Sequence, residues 1–166
     1  MDIYRPGLLS LPLFHGKEAG FVPRIKVPMQ RIQLSEFSVY MQQRPGELAG
    51  VLDAAMASGV QIHSISTTEY QERGCVRLIG TPEDTLRRLC ESLADAGIGP
   101  LVEAPVVAVC VDNRPGMIRD LSVLMADNRI NIRYCYLVPA IAGHEGMDGP
   151  VCVFRFDEHD RALELI

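Results

Sequence analysis

The chain has 166 residues, of which 48% are hydrophobic, and carries a formal net charge of −5. This length suits one average domain or two small ones, and the acidic balance argues against a nucleic-acid or anionic-membrane surface. Five cysteines without a C-x-x-C pair indicate neither a disulfide framework nor a zinc site. Because the apolar stretch Leu8 to Phe14 is too short to span a bilayer, we expect a soluble cytoplasmic protein with reduced, buried cysteines.

Residues 1–33 are predicted to form an N-terminal arm, because four prolines interrupt regular structure there. A first module, residues 34–104, opens with Phe37, Val39 and Met41 in the two-residue period of a half-buried strand. A helix, a two-stranded hairpin, a second helix and a short closing strand follow, beginning at Glu47, Val60, Cys75, Thr81 and Leu101. We expect Leu48 and Leu52 to be buried by the first helix, and the Thr81 hydroxyl to cap the second.

The tripeptide Arg44-Pro45-Gly46 recurs as Arg114-Pro115-Gly116, at an offset of 70 residues. The same offset relates Leu48 to Ile118 through a gap-free stretch, so the chain contains an internal repeat. The repeat predicts a second module at residues 105–166, with a strand at 107–111, a helix at 117–127, strands at Ile130–Val138 and Val151–Phe156, and a helix that starts at Asp157.

Each module has the order strand, helix, strand, strand, helix, strand. This order predicts an α+β protein made of two ferredoxin-like βαββαβ modules, with antiparallel sheets and helices on one face. Only three residues follow Leu163, the position matched to Leu86, so we expect the second module to lack its closing strand. Because a bare edge at Val107 to Val111 is a liability, we expect the arm from Val22 to Gln33, or a second subunit, to cover it.

At both Arg-Pro-Gly sites the chain passes from a strand into a helix, so the N–H groups of the first helical turn lack intrahelical partners. Glycine permits dihedrals closed to other residues and lets a ligand approach the backbone. The carboxylate of a free amino acid suits such a site. A tight connection that binds nothing explains the same residues, and both readings stay open.

The module order and these two turns resemble the ACT domain, here in tandem over residues 34–166. The resemblance implies a non-catalytic regulatory protein that binds a small amino acid between paired modules, at the loop after the first strand. Carried over by position, the ligand-binding residues are Gln43, Arg44, Pro45, Gly46, Glu47 and Leu48, and Asn113, Arg114, Pro115, Gly116, Met117 and Ile118.

We expect a homodimer that signals to a metabolic enzyme and uses no cofactor and no metal. The alternative is a ligand-free regulatory subunit that docks on such an enzyme. Catalysis is not expected, because no nucleophile with an adjacent base, metal-ligand pair or phosphate-binding glycine loop is found. We further expect Tyr134, Tyr136, Phe154 and Phe156 to pack rather than stack on RNA. The second hairpin is predicted to be five residues longer than the first, with residues 142–147 as a mobile insertion.

Overall fold

The computed structural model describes residues 29–70, 73–111 and 116–166. Over these residues, strands and helices follow in the order β1 (Arg31–Gln42), α1 (Glu47–Ala57), β2 (Gln61–Tyr70), β3 (Arg73–Thr81), α2 (Glu83–Asp95), β4 (Leu101–Cys110), α3 (Met117–Asp127), β5 (Ile132–Val138), β6 (Val151–Phe156) and α4 (His159–Leu165). The strands form one sheet in the order β2-β3-β1-β4-β6-β5, and every neighbouring pair is antiparallel. The predicted α+β class is confirmed.

The centre of the sheet is a long ladder between β1 and β4, which runs from Arg31 opposite Val109 to Val39 opposite Leu101. The C-terminal half of β1 also pairs with β3, and the C-terminal half of β4 pairs with β6. Each of the two strands therefore opens one module and closes the other. The two strands predicted at Leu101 and at 107–111 are one continuous strand, β4.

The predicted bare edge of the second module is covered, as expected, by the end of the arm. Arg31, Ile32 and Gln33 pair with residues 107–109, and the ladder continues through Leu34. The part of the arm that precedes Met29 lies outside the described residues.

Pro105 lies within β4 without breaking the ladder. The Cys110 N–H donates to the Gln30 carbonyl at 2.9 Å, which makes that pair a hydrogen-bonded one. Such pairs alternate along an antiparallel ladder, so Ser35 and Pro105 form a non-hydrogen-bonded pair. A proline at this position costs no bond to β1, because its missing N–H would not have pointed at that strand.

The internal repeat is visible in the geometry. Helices α1 and α3 each have 11 residues at the predicted offset, and β2 and β5 carry irregularities at equivalent places. The predicted alignment of the hairpins was wrong by one residue. Phe37 pairs with Leu78, whereas its equivalent Val107 pairs with Phe154, an offset of 76 that makes the second hairpin six residues longer. Leu86 is therefore equivalent to the buried Ala162 and not to Leu163.

Apolar side chains on one face of the sheet pack under the helices. Helices α1 and α2 cover a cluster that includes Phe37, Val39 and Leu78, and α3 and α4 cover one that includes Val107 and the stacked rings of Phe154 and Phe156. The helices thus lie on one face, as predicted, and the two phenylalanines pack in the core.

Two details of the helices differ from the predictions. Leu48 is 36% exposed and Leu52 is half-buried, so Val51 and Ala55 alone form the buried stripe of α1. The Thr81 hydroxyl does not cap α2, because it lies 2.8 Å from Nε2 of His63 and the cap residue is Pro82.

The opposite face of the sheet is concave and enclosed. A flat sheet of six strands would hold its edges about 24 Å apart, at about 4.8 Å per strand. Here Ser64 on edge strand β2 hydrogen-bonds Tyr136 on edge strand β5 at 3.2 Å, so the sheet is strongly curled. A third apolar cluster fills the hollow and includes the buried Ile141 and Met147. Ile141 directly precedes the segment predicted to be a mobile insertion and Met147 ends it, so both ends of that segment are anchored on the sheet.

Among the described residues, no helix is long and apolar enough to cross a membrane, and no group of side chains is suited to hold a metal ion. All five cysteines are free. The expectation of buried thiols is wrong for Cys135, which is exposed.

The shared ladder makes a testable prediction about truncation. A chain that starts at residue 35 loses the pairing of residues 31–34 with β4 and the packing of Ile32 and Leu34 in the concave cluster. We expect it to be less stable than a chain that starts at Met29 by at least about 2 kcal/mol, measured by chemical denaturation. Equal unfolding free energies for the two truncations would contradict the shared-strand architecture.

Candidate functional site

The first Arg-Pro-Gly turn lies between β1 and α1, where Gly46 occupies the position before the helix. Its φ of +94° lies in the left-handed region, and no side chain caps the helix. Gly116 has the equivalent place and conformation before α3, with φ of +90°. A Cβ on either glycine would meet no atom within 4 Å, so the backbone dihedral and not crowding selects glycine there.

The first turn of α1 presents unpaired donors. The Glu47 N–H donates to the Arg44 carbonyl at 3.3 Å, and the Gly50 N–H donates to the Gly46 carbonyl at 2.9 Å. Between them, the N–H groups of Leu48 and Ala49 have no partner in the hydrogen bonds of the described residues. Free donors at the positive end of a helix dipole attract an anion.

This helix start opens on a cleft of about 370 Å³. Its floor is apolar, because Met41, Cys75 and Val76 are buried there. Its rim is polar and contributed by the turn together with the far ends of β2 and β3. The complete wall is Met41, Gln42, Gln43, Arg44, Pro45, Glu47, Leu48, Thr67, Thr68, Glu69, Gly74, Cys75 and Val76.

Five of the six predicted residues of the first turn line this cleft, and Gly46 shapes it through its backbone. The opposite wall, formed by Thr67, Thr68 and Glu69 of β2, was not predicted from the sequence. A strand was predicted to begin at Val60, and β2 continues to Tyr70. The β-branched side chains of Thr67 and Thr68, which favour a strand, were the available signal.

Charges of both signs line the cleft, because Arg44 and Glu47 belong to the turn and the start of α1 and Glu69 belongs to the opposite wall. Arg44 and Glu47 also border a second hollow of about 310 Å³, which Arg73 and Tyr40 line on the other side of the turn. Burial, followed by the neighbouring Cys75, raises the pKa of Tyr40 above its ordinary value, so its phenol stays neutral at physiological pH. The arrangement suits a small zwitterion with an apolar portion.

The second turn is described only in part. Asn113, Arg114 and Pro115 lie outside the described residues, while Gly116, Met117 and Ile118 lie within them. The side chain of Met117 is buried in the core between α3 and the sheet, and Ile118 packs against the same cluster. The side chains at these two positions therefore support the helix, in contrast to the partly exposed Glu47 and Leu48 of the first module.

The structure does not bring the two turns together. Gln42 ends β1, and Cys110 ends β4 beside Gln30, twelve residues away along β1. At about 3.4 Å per residue, the two strand ends lie about 40 Å apart along the ladder. Within one chain, the two turns are therefore too far apart to line a single binding site.

The model of the ACT domain pair matches residues 32–166. The chain belongs to the ACT domain family. ACT domains are regulatory, so the chain has a regulatory architecture. No curated protein matches the sequence.

Solved structures share the fold of this ACT domain pair at low sequence identity. Protein BT0572 from Bacteroides thetaiotaomicron aligns with a TM-score of 0.66 and 17% identity, covering 81% of this chain and 87% of that one. The ligand-free regulatory subunit of aspartate kinase from Thermus thermophilus aligns with a TM-score of 0.57 and 16% identity, covering 80% and 89%. Aspartokinase III from E. coli, in complex with aspartate and ADP, aligns at 0.51 and 14%, covering 82% of this chain and 31% of the enzyme.

The glycine geometry at the site predicts opposite effects for two alanine substitutions in this ACT pair. Gly46→Ala should destabilise the protein by about 1–2 kcal/mol, because an L-residue is strained in the left-handed region. Gly50→Ala, one turn later on the exposed side of α1, should stabilise by about 0.5–1 kcal/mol, because glycine is unfavourable inside a helix. Denaturant unfolding of both variants measures the two signs. A neutral Gly46→Ala would contradict the positive dihedral.

Proposed function

We propose that the protein is a regulatory subunit that binds a small amino acid in the cleft between the first turn and the ends of β2 and β3. The observation that carries this proposal is the pair of unpaired N–H groups, on Leu48 and Ala49, beside a cleft with an apolar floor. The cleft volume of about 370 Å³ falls within the range of about 300–1,000 Å³ that is typical of small-molecule sites.

In the proposed complex, the ligand carboxylate accepts hydrogen bonds from the first turn of α1. The ammonium group is balanced by Glu47 or Glu69, and the ligand side chain rests on Met41 and Val76. The amide of Gln43 lies in the same wall and has donors and an acceptor for either end of the ligand. Binding of this kind involves no catalysis, and its effect is a change in the protein itself.

The proposed signal passes to a metabolic enzyme. Two proteins of the same fold, the regulatory subunit of aspartate kinase from Thermus thermophilus and the aspartokinase alpha and beta subunits, support this type of partner. We further propose a cytoplasmic homodimer, with the Asn113 to Ile118 turn as a second binding place.

A second candidate function is that of a ligand-free interaction subunit. Two apolar residues of α1 support it, because Met56 is 74% exposed and Leu48 is 36% exposed. An exposed methionine on a helix is a common feature of adaptable protein-binding surfaces.

Thermal melting against each of the twenty amino acids tests the ligand. An amino acid present at a hundred times its dissociation constant adds about 2.7 kcal/mol of stability, which raises the melting temperature of a domain of this size by about 5–10 °C. We expect one chemical class to give this shift. A folded sample that shifts with none of the twenty would overturn the amino-acid proposal and favour the interaction subunit.

Leu48→Glu locates the site. A carboxylate at the second position of α1 suits the helix dipole, so the fold should persist, but it competes with the ligand carboxylate for the same N–H groups. We expect at least about tenfold weaker binding by calorimetry, about 1.4 kcal/mol. Met56→Glu adds the same charge near the other end of α1 and should bind like the wild type. Equal losses in both variants would place the ligand elsewhere.

A further inference from the structure

Gly74 of β3 lies in the floor of the cleft, on the face of the sheet that the helices cover. It pairs with Met41 of β1 on one side and with Glu69 of β2 on the other, so the three residues form one row across the sheet. Paired residues on neighbouring strands point to the same face, and Met41 belongs to the cluster under the helices. All three residues line the cleft. Because Gly74 has no side chain, a trough is left in the floor between Met41 and Glu69.

Neither the backbone nor the packing requires glycine at position 74. The φ angle of Gly74 lies outside the left-handed region. A Cβ there would lie 3.5 Å from Cγ of Met41, an ordinary van der Waals contact, and nothing else described beyond its chain neighbours lies within 4 Å. Gly80 of the same strand differs, because a Cβ there would lie 2.7 Å from the carbonyl oxygen of Gln61. Glycine weakens a strand, so Gly74 has a cost that the fold does not explain.

The trough is wide enough for a ligand side chain. Met41 and Glu69 stand on the two strands that flank β3, and these strands lie about 10 Å apart, at about 4.8 Å per spacing. Val76 and Thr67 form the next row on the same face. One side of the trough is therefore apolar, from Met41 and Val76, and the other is polar.

The anchoring groups for an amino acid lie elsewhere in the cleft. The unpaired N–H groups of Leu48 and Ala49 belong to the start of α1, whereas the trough belongs to the sheet below. A ligand whose carboxylate is held at the helix start fills the trough only with a side chain that extends toward β3. Such a side chain removes apolar surface of Met41 and Val76 from water, which favours binding. A short side chain gains none of this.

We propose that Gly74 sets the specificity of the cleft, by keeping room for an amino-acid side chain that extends past its γ atom. The ligand class is then the amino acids with long side chains, such as leucine, methionine and lysine, and excludes glycine, alanine and serine. This inference rests on the proposed function, because it takes the cleft to be the amino-acid site. Gly74 selects the ligand, whereas the start of α1 anchors it.

Gly74→Val tests the selection, because it fills the trough and leaves the helix start unchanged. We expect the best long-chain amino acid to bind at least about tenfold more weakly by calorimetry, since one methylene group without room in an apolar pocket costs about that much. The dissociation constant of alanine, which does not reach the trough, should stay within about twofold. The ratio of the two constants thus changes, which general destabilisation would not achieve.

Gly149→Val is the matched control. Gly149 lies two residues before β6, has an ordinary φ angle, and would place a Cβ in open space. It is not part of the cleft wall. The variant adds the same side chain at the end of the other hairpin, so we expect it to bind the long-chain amino acid like the wild type. Equal losses in Gly74→Val and Gly149→Val would overturn the inference.

Gly74→Ala tests the position without any ligand. Alanine is more favourable than glycine inside a strand and its methyl group has room, so the melting temperature should rise by about 1–4 °C. Gly80→Ala should lower it, because its Cβ would collide with the Gln61 carbonyl. A lower melting temperature for Gly74→Ala would overturn the inference, since the fold itself would then require the glycine. If Gly74→Val fails to fold, the loss of long-chain binding is measured in Gly74→Ala.

The failure of this inference is distinguishable from the failure of the proposed function. If an amino acid binds the wild type, and Gly74→Val binds it equally well, only the role of Gly74 is overturned. The same holds if glycine, alanine or serine is the tightest ligand of the wild type. If none of the twenty amino acids shifts the melting temperature of the wild type, the proposed function is overturned and the selection by Gly74 with it.

Discussion

The antiparallel ladder between β1 and β4 is the constraint on which the rest of the molecule depends. Each strand pairs with the other along most of its length and with a strand of its own module at its C-terminal end, and each completes the sheet of the other module. The ladder also fixes where the two helix starts lie, because α1 and α3 follow its opposite ends. The two modules are therefore parts of one sheet and cannot be separated without leaving an apolar edge in each.

The curl of this sheet creates a second interior, which differs in chemistry from the first. Under the helices the packing is apolar, but on the concave face aliphatic residues lie beside Glu36, Ser38 and Ser64, all of them buried. A buried polar group limits the arrangements a core can adopt, because its hydrogen bonds are directional. The polar contacts to β5 thus specify one degree of curl where aliphatic packing alone would tolerate several.

Local periodicity was enough to predict the helices and most strands, since each depends on residues within a few positions of one another. The sharing of β1 and β4 joins residues more than sixty positions apart, such as Val39 and Leu101, and no local pattern carries that information. Only one wall of the cleft was predicted, for the same reason. The turn at Gly46 has a sequence signature, whereas the wall at Thr67 and Thr68 depends on how far the hairpin extends. The hydrogen bond from the Tyr134 hydroxyl to the buried Glu36 carboxylate forms only because the sheet is curled.

The order in which the ladder is made along the chain has a kinetic consequence. As the polypeptide is synthesised, β1 is complete long before β4, and its N-terminal half has no other strand to pair with in the described structure. Closing so large a loop costs chain entropy before any pairing compensates for it, and sheets dominated by distant pairings fold slowly. Until β4 has been made, the first strand of a nascent chain therefore exposes an unpaired edge, and this interval is when association with another copy competes with folding.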